Sequence, residues 1–250
     1  MTVRHEERGR TAVLTVDRPE TKNAIDPSVH AALSAALDAV MASDARAIVL
    51  TGANGTFVSG GDLKLIRERP FEETLTLSQQ MTALLDRLEA LPVPVFAAIE
   101  GYAFGGGVEI ALACDYRVAA PGAKLSFRQA AMGLSTGWGA ATRLARVVPR
   151  GVAARLLMTA EVLDAEAAAD LGLVEEVDAN PLARCLALAD AVASQSPRAV
   201  AAFKALLPEV YGAPAASSRA KEWEVFQTLW GAADHAEALD AFFGRRAPRW

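Results

Sequence analysis

The sequence predicts an α/β fold with a helical C-terminal region, and three observations carry that prediction. Short apolar or β-branched runs alternate with amphipathic helical stretches through the first two-thirds of the chain. From Pro181 onward the pattern is helical throughout. Two glycine-rich segments, 58–62 (VSGGD) and 105–107 (GGG), each follow a buried strand and lie at or near a helix start.

Thr11–Val16 (TAVLTV) is a β-branched strand, and the chain then turns at Pro19. Asp26-Pro27 starts a helix, because Asp accepts from the first free N–H groups and Pro fits the first helical position. That helix runs over 28–41 and turns Leu33, Leu37, Val40 and Met41 to one face. Residues 47–51 (AIVLT) form a strand covered on both sides. A second amphipathic helix over 75–91 stops at Pro92 and Pro94, and Val95–Ile99 is another buried strand. A small-residue helix over 108–113 and a strand over 115–119 follow. Helices are expected at Ala140–Val147, 152–159 and 165–171, with a last strand over 173–177. Residues 212–218 (GAPAASS) read as a loop between C-terminal helices.

The 250 residues are 52% hydrophobic and 22% charged, the balance of a folded chain with a sizeable core. Acidic residues outnumber basic ones, 30 to 25, which argues against a nucleic-acid partner but leaves room for a local basic pocket. Cys114 and Cys185 are too few and too far apart for a disulfide framework, and no metal-ligand spacing surrounds them or His5, His30 and His235. No long apolar segment reads as a signal peptide or membrane span, so a soluble cytoplasmic protein is expected.

Glycine lets backbone approach a ligand, and the first N–H groups of a helix lack internal partners. The two glycine-rich loops, if side by side, offer two N–H donors to one oxygen; the alternative is that they are tight turns with close helix–sheet packing. Glu109 sits in the apolar run GGGVEIALAC, where burial raises a carboxyl pKa toward the range useful for proton transfer. An acid favouring the helix dipole is the competing reading. Gly133-Leu134-Ser135-Thr136-Gly137 matches the GxSxG elbow of serine hydrolases, with His235 and a downstream Asp to complete the order. The elbow needs a strand running into it, however, and 128–132 reads as loop or helix. Trp223, Trp230 and Trp250 are core candidates, Trp138 is placed to roof a pocket, and Arg143 and Arg146 read as a solvated helix face.

The succession TVDRPETKNAI, FVSGGDL, GYAFGGGVEIALACDYRVA and GLVEEVD resembles the crotonase, or enoyl-CoA hydratase/isomerase, superfamily over essentially the whole chain. The resemblance implies a crotonase (ClpP-like) ββα spiral core over 1–195 carrying an acyl-CoA site. A helical region over 196–250 would then serve trimerisation and cover CoA, with homotrimers or hexamers as the assembly. It makes the Gly61 and Gly106 N–H groups the oxyanion donors to a CoA thioester and Glu109 the acid–base residue. Lys22, Ala24, Ile25, Ser59, Asp62, Leu63 and Lys64 match stretches that wrap CoA, Trp138 is added to the substrate-binding set, and Arg245 and Arg246 match a basic tail reaching CoA phosphates. No resident cofactor or metal is expected, since CoA arrives as part of the substrate.

Family hydratases use a second glutamate after the Phe matching Phe127. Here FRQAAMGLSTGWGAATRL is shorter, and no carboxylate occurs between Asp115 and Glu161. That segment, CDYR and FQTLWGAADHAEAL resemble the ethylmalonyl-CoA decarboxylase branch. The expected reaction is therefore decarboxylation of a small 2-carboxyacyl-CoA with Glu109 as proton donor. The main alternative is the enoyl-CoA hydration of fatty-acid metabolism, by Glu109 alone or with a polar loop partner such as Gln129; a serine hydrolase at Ser135 is a minor one.

Overall fold

The computed structural model describes residues 2–211, 213–230 and 232–249. Strand β1 (Val3–Arg8) pairs antiparallel with β2 (Thr11–Val16) and edges a six-stranded sheet. From β2 the sheet continues in parallel through β3 (Ala47–Gly52), β4 (Val95–Ile99), β6 (Tyr116–Ala119) and β9 (Glu176–Val177). A three-stranded sheet joins β5 (Tyr102–Phe104), β7 (Lys124–Ser126) and β8 (Leu163–Asp164).

Parallel strands need crossovers, and helices supply them. Helix α1 (Pro27–Met41) joins β2 to β3, and Asp26 caps it by accepting from the Val29 N–H, an interaction typically worth about 1 kcal/mol. The short α2 (Leu63–Glu68) and α3 (Phe71–Ala90) join β3 to β4. Helix α4 (Gly106–Leu112) lies between β5 and β6. Helices α5 (Ala140–Val147), α6 (Arg150–Thr159) and α7 (Ala165–Asp170) follow. The C-terminal part is α8 (Pro181–Ala193), α9 (Pro197–Val210), α10 (Ala215–Leu229) and α11 (Ala233–Phe243).

Alternation along the central strands divides two cores. Leu14, Ile48, Leu50, Ala97 and Ile99 face α1 and α3, whereas Val13, Val49, Phe96, Ala98 and Val118 face α8 through Cys185 and Ala189. Both faces are apolar because both are covered. Buried Arg117 satisfies the end of α4 by donating to Cys114 O at 2.8 Å, and it pairs with Glu175. Lys204 on α9 is buried against Asp115 and donates to Val93 O at 2.9 Å, tying the C-terminal helices to the core.

Several expectations change. Met41 is exposed instead of joining Leu33, Leu37 and Val40 on the packed face of α1. The last strand shrinks to Glu176–Val177, with Leu173 and Val174 buried in the turn before it. Helix α3 begins at Phe71, four residues earlier than the apolar pattern starts, and α10 begins at Ala215 within the expected loop. Trp223 and Trp230 are exposed, each packed against Phe226 at the end of α10 rather than in the core. Trp250 and Gly212 lie outside the described residues. No helix among the described residues is long and apolar enough to cross a membrane.

Candidate active site

The loop carrying Lys22–Ile25 is built around buried Asn23 at φ 60°, whose amide donates to Ala53 O and Thr56 O and accepts from Arg18 N. Arg18 in turn pairs with Asp26 at 3.3 Å and Asp62 at 3.2 Å. Residues 21–25 and 59–62 are thus stitched together. Ser59 Oγ donates to Thr21 O, Ile25 N to Gly60 O at 2.8 Å, and Asp62 N to Ile25 O at 2.9 Å. In a parallel bridge one residue bonds to the neighbours on either side of its partner. Ile25 does so to Gly60 and Asp62, leaving the Gly61 N–H turned away from it.

A second bridge sets Val58 beside Ala103. Gly61 lies three residues beyond Val58 and Gly106 three beyond Ala103, on the two segments that this bridge brings together. A Cβ on Gly60, which holds φ +110°, would sit 3.5 Å from the Gly106 nitrogen, consistent with that approach. Gly106 is the first residue of α4, so its N–H has no helical acceptor. Among the described residues neither the Gly61 nor the Gly106 N–H meets an acceptor. Free backbone donors of this kind are what an oxyanion hole requires.

Glu109 lies one turn along α4, and helical side chains lean toward the N-terminus, here toward Gly106. It is 2% exposed. Its Oε2 accepts from Trp138 N at 2.8 Å and Ala140 N at 3.0 Å, and its Oε1 accepts from Gln129 Nε2 at 2.8 Å. Burial pushes its pKa above the usual carboxylate value, and these donors pull partly against that shift.

The Trp138 indole lies against Gly106. A Cβ on that glycine would fall 2.1 Å from the ring, so only glycine fits there. Arg143, expected on a solvated face, is buried. It donates to Trp138 O at 2.5 Å and pairs with Asp86 and Glu89 of α3, each at 2.7 Å. Thr82 Oγ1 donates to Gly137 O at 3.0 Å, so α3 holds this loop at two points. Arg146 is exposed, as expected.

The remaining candidates are placed as follows. Ala24 and Ile25 are buried beneath the loop, while Lys22 stands over the Tyr102 ring at 5.2 Å. Leu63 and Lys64 are exposed on the first turn of α2, which Asp62 caps by accepting from Leu65 N. Arg246 on the tail after α11 is committed to Glu237, whose carboxyl it holds down at about 2; Arg245 makes no ion pair among the described residues. The GxSxG segment is no elbow. A 3-10 turn (Ala130–Met132) precedes it instead of a strand, Ser135 is exposed, and His235 stacks on Trp230. Among the described residues, no three His, Cys, Asp or Glu side chains group as a metal site.

The site thus brings two unpaired backbone N–H groups near one buried carboxylate. Residues 6–250 match the model of the family described as enoyl-CoA hydratase/isomerase, and the chain belongs to that family, within the crotonase superfamily. It is a crotonase-family enzyme acting on CoA thioesters. Similar proteins include the enoyl-CoA isomerase/hydratase fer4 of Mycosarcoma maydis, 34% identical, covering 94% of this chain and 90% of the relative. The short-chain-enoyl-CoA hydratase of Clostridium acetobutylicum is 31% identical, covering 96% and 94%. A crystal structure of an enoyl-CoA hydratase from Polaromonas sp. JS666 superposes with TM-score 0.91 at 33% identity, over 99% of this chain and 98% of that one. The α/β core with its helical C-terminal region is therefore the crotonase fold.

Proposed function

We propose that the protein hydrates a short 2-enoyl-CoA, with Glu109 as its single acid–base residue. The Gly61 and Gly106 N–H groups bind the thioester oxygen and polarise the conjugated double bond. Water attacks the β-carbon and gives its proton to Glu109, while the displaced electron pair moves through the α-carbon onto the thioester oxygen. Glu109 then passes that proton to the α-carbon, the electron pair returns, and the carboxylate is restored. The observation that carries this reading is a buried carboxylate held by three N–H donors one helical turn from Gly106. Those donors favour its ionised form, which a base requires.

The hydratase names of the relatives above favour hydration over the decarboxylation expected from the shortened segment after Phe127. Decarboxylation remains the second reading on one observation: between Asp115 and Glu161 there is no further acid, and loss of CO₂ from a 2-carboxyacyl-CoA needs no base. In the hydratase reading Lys22, Ser59, Leu63 and Lys64 border the CoA arm over the buried Ala24 and Ile25, and Trp138 closes the acyl end. Arg245 is the better placed of the tail arginines for a phosphate, because Arg246 already has a carboxylate. Homotrimeric or hexameric assembly is proposed with it, since α9–α11 expose Phe203, Leu207, Trp223, Trp230, Phe242 and Phe243.

The test is mass spectrometry after separate incubation with crotonyl-, methylmalonyl- and ethylmalonyl-CoA. Addition of water to crotonyl-CoA is expected. Loss of CO₂ from a malonyl-type thioester without hydration of crotonyl-CoA would replace this reading with the second.

A further inference from the structure

Resting on the hydratase reading, we infer that the side-chain amide oxygen of Gln129 holds the attacking water, in the place of the absent second acid.

Glu109 presents two unequal oxygens. Oε2 accepts from the backbone N–H groups of Trp138 and Ala140, while Oε1 accepts from the side chain of Gln129 through Nε2 at 2.8 Å. The reactive oxygen is therefore Oε1, and the group beside it is the Gln129 amide. The other atom of that amide, Gln129 Oε1, is buried and receives no hydrogen bond from the protein. A buried acceptor left unmatched is costly, so it is a feature that needs a partner.

Gln129 is fixed by its surroundings. Its carbonyl accepts from Met132 N and Leu134 N, each at 2.9 Å. Three residues earlier, Ser126 O accepts from Gly105 N at 2.8 Å, pinning this loop to the strand end that carries Gly106. One water molecule has two protons to donate. Given to Glu109 Oε1 and Gln129 Oε1, they leave its lone pairs free for the β-carbon. The Gln129 amide then orients water and the Glu109 carboxylate removes the proton. No second carboxylate is required, because glutamine accepts without adding a charge beside Glu109.

The experiment uses the whole chain and two readouts. Hydration of crotonyl-CoA needs a placed water, whereas exchange of the butyryl-CoA α-proton with D₂O needs only Glu109 and the oxyanion donors. Gln129→Ala is expected to slow hydration by roughly 10²-fold and exchange by no more than about tenfold, because exchange loses only the hydrogen bond from Gln129 Nε2 to Glu109. Gln129→Leu, close in shape, serves if the alanine variant does not fold. Gln129→Glu restores an acceptor and should hydrate faster than Gln129→Ala, with its acid limb moved to higher pH because two carboxylates then share one site.

Equal loss of hydration and exchange would make Gln129 a support for Glu109 alone and overturn the inference. So would hydration within about threefold of wild type in Gln129→Ala, or a Gln129→Glu variant no faster than it. A wild-type chain that fails to hydrate crotonyl-CoA strikes instead at the proposed reaction.

Discussion

Trp138 donates its backbone N–H to Glu109 Oε2 at 2.8 Å, and Arg143 donates to the Trp138 carbonyl at 2.5 Å. One residue thus carries the proton-transfer group on one side and, through Arg143, the acids of α3 on the other.

Replacing Arg143 with Met leaves the buried Trp138 carbonyl without its donor and frees the 137–140 loop. The expected loss is about 1–3 kcal/mol in denaturant unfolding, together with a lower kcat as Glu109 loses alignment. Arg143→Lys keeps the charge but not the fork and should fall between the two. An unchanged kcat in Arg143→Met would detach α3 from the site.

Glu109→Gln keeps the shape of the side chain and removes the base. Hydration should drop by roughly 10²- to 10⁴-fold with little change in KM, read as loss of enoyl absorbance from crotonyl-CoA.

The pH profile separates the two proposed reactions. Glu109 has a raised pKa, chiefly from burial, and hydration needs it ionised. Its hydration rate should fall as pH drops through a value above the ordinary carboxylate range. A decarboxylase that uses protonated Glu109 as donor would instead lose activity as pH rises through that value.

Gly106→Ala drives a methyl into the Trp138 ring and should destabilise the fold by about 1–3 kcal/mol. Adding Trp138→Ala should recover part of that cost. Additive effects in the double-mutant cycle would deny that the contact is the cause.

Burial pushes the thiols of Cys114 and Cys185 up to about 12 from 9.0. Both should resist alkylation in the native protein and react once it unfolds. With folded values above unfolded ones, their contribution to stability holds below about pH 9 and declines as pH rises toward 12. Alkaline melts compared with Cys→Ala variants measure it.

The central strands were legible because period and burial agree: 47–51 and 95–99 are apolar on both faces and covered on both. Strands β1, β5 and β7 were not, since β1 is a polar edge and the other two have only three residues each. The glycine-rich loops 58–62 and 105–107 and the acid Glu109 stood out from their neighbours, and the family resemblance then singled out Gly61 and Gly106. Arg143 did not, because an arginine on a short helix looks the same whether it faces water or a neighbouring helix.

The sequence by itself determined the local chemistry: glycines that expose N–H groups, a glutamate in apolar surroundings, and no other acid over 116–160. Only the tertiary structure decided that the segments carrying Gly61 and Gly106 meet at Val58 and Ala103, that Gln129 turns its amide to Glu109, and that Asp86 and Glu89 reach Arg143. Propensity and burial act along the chain and leave a trace in neighbouring residues. Strand register and inter-helix pairing join residues dozens of positions apart, and no local pattern records which partner each will meet.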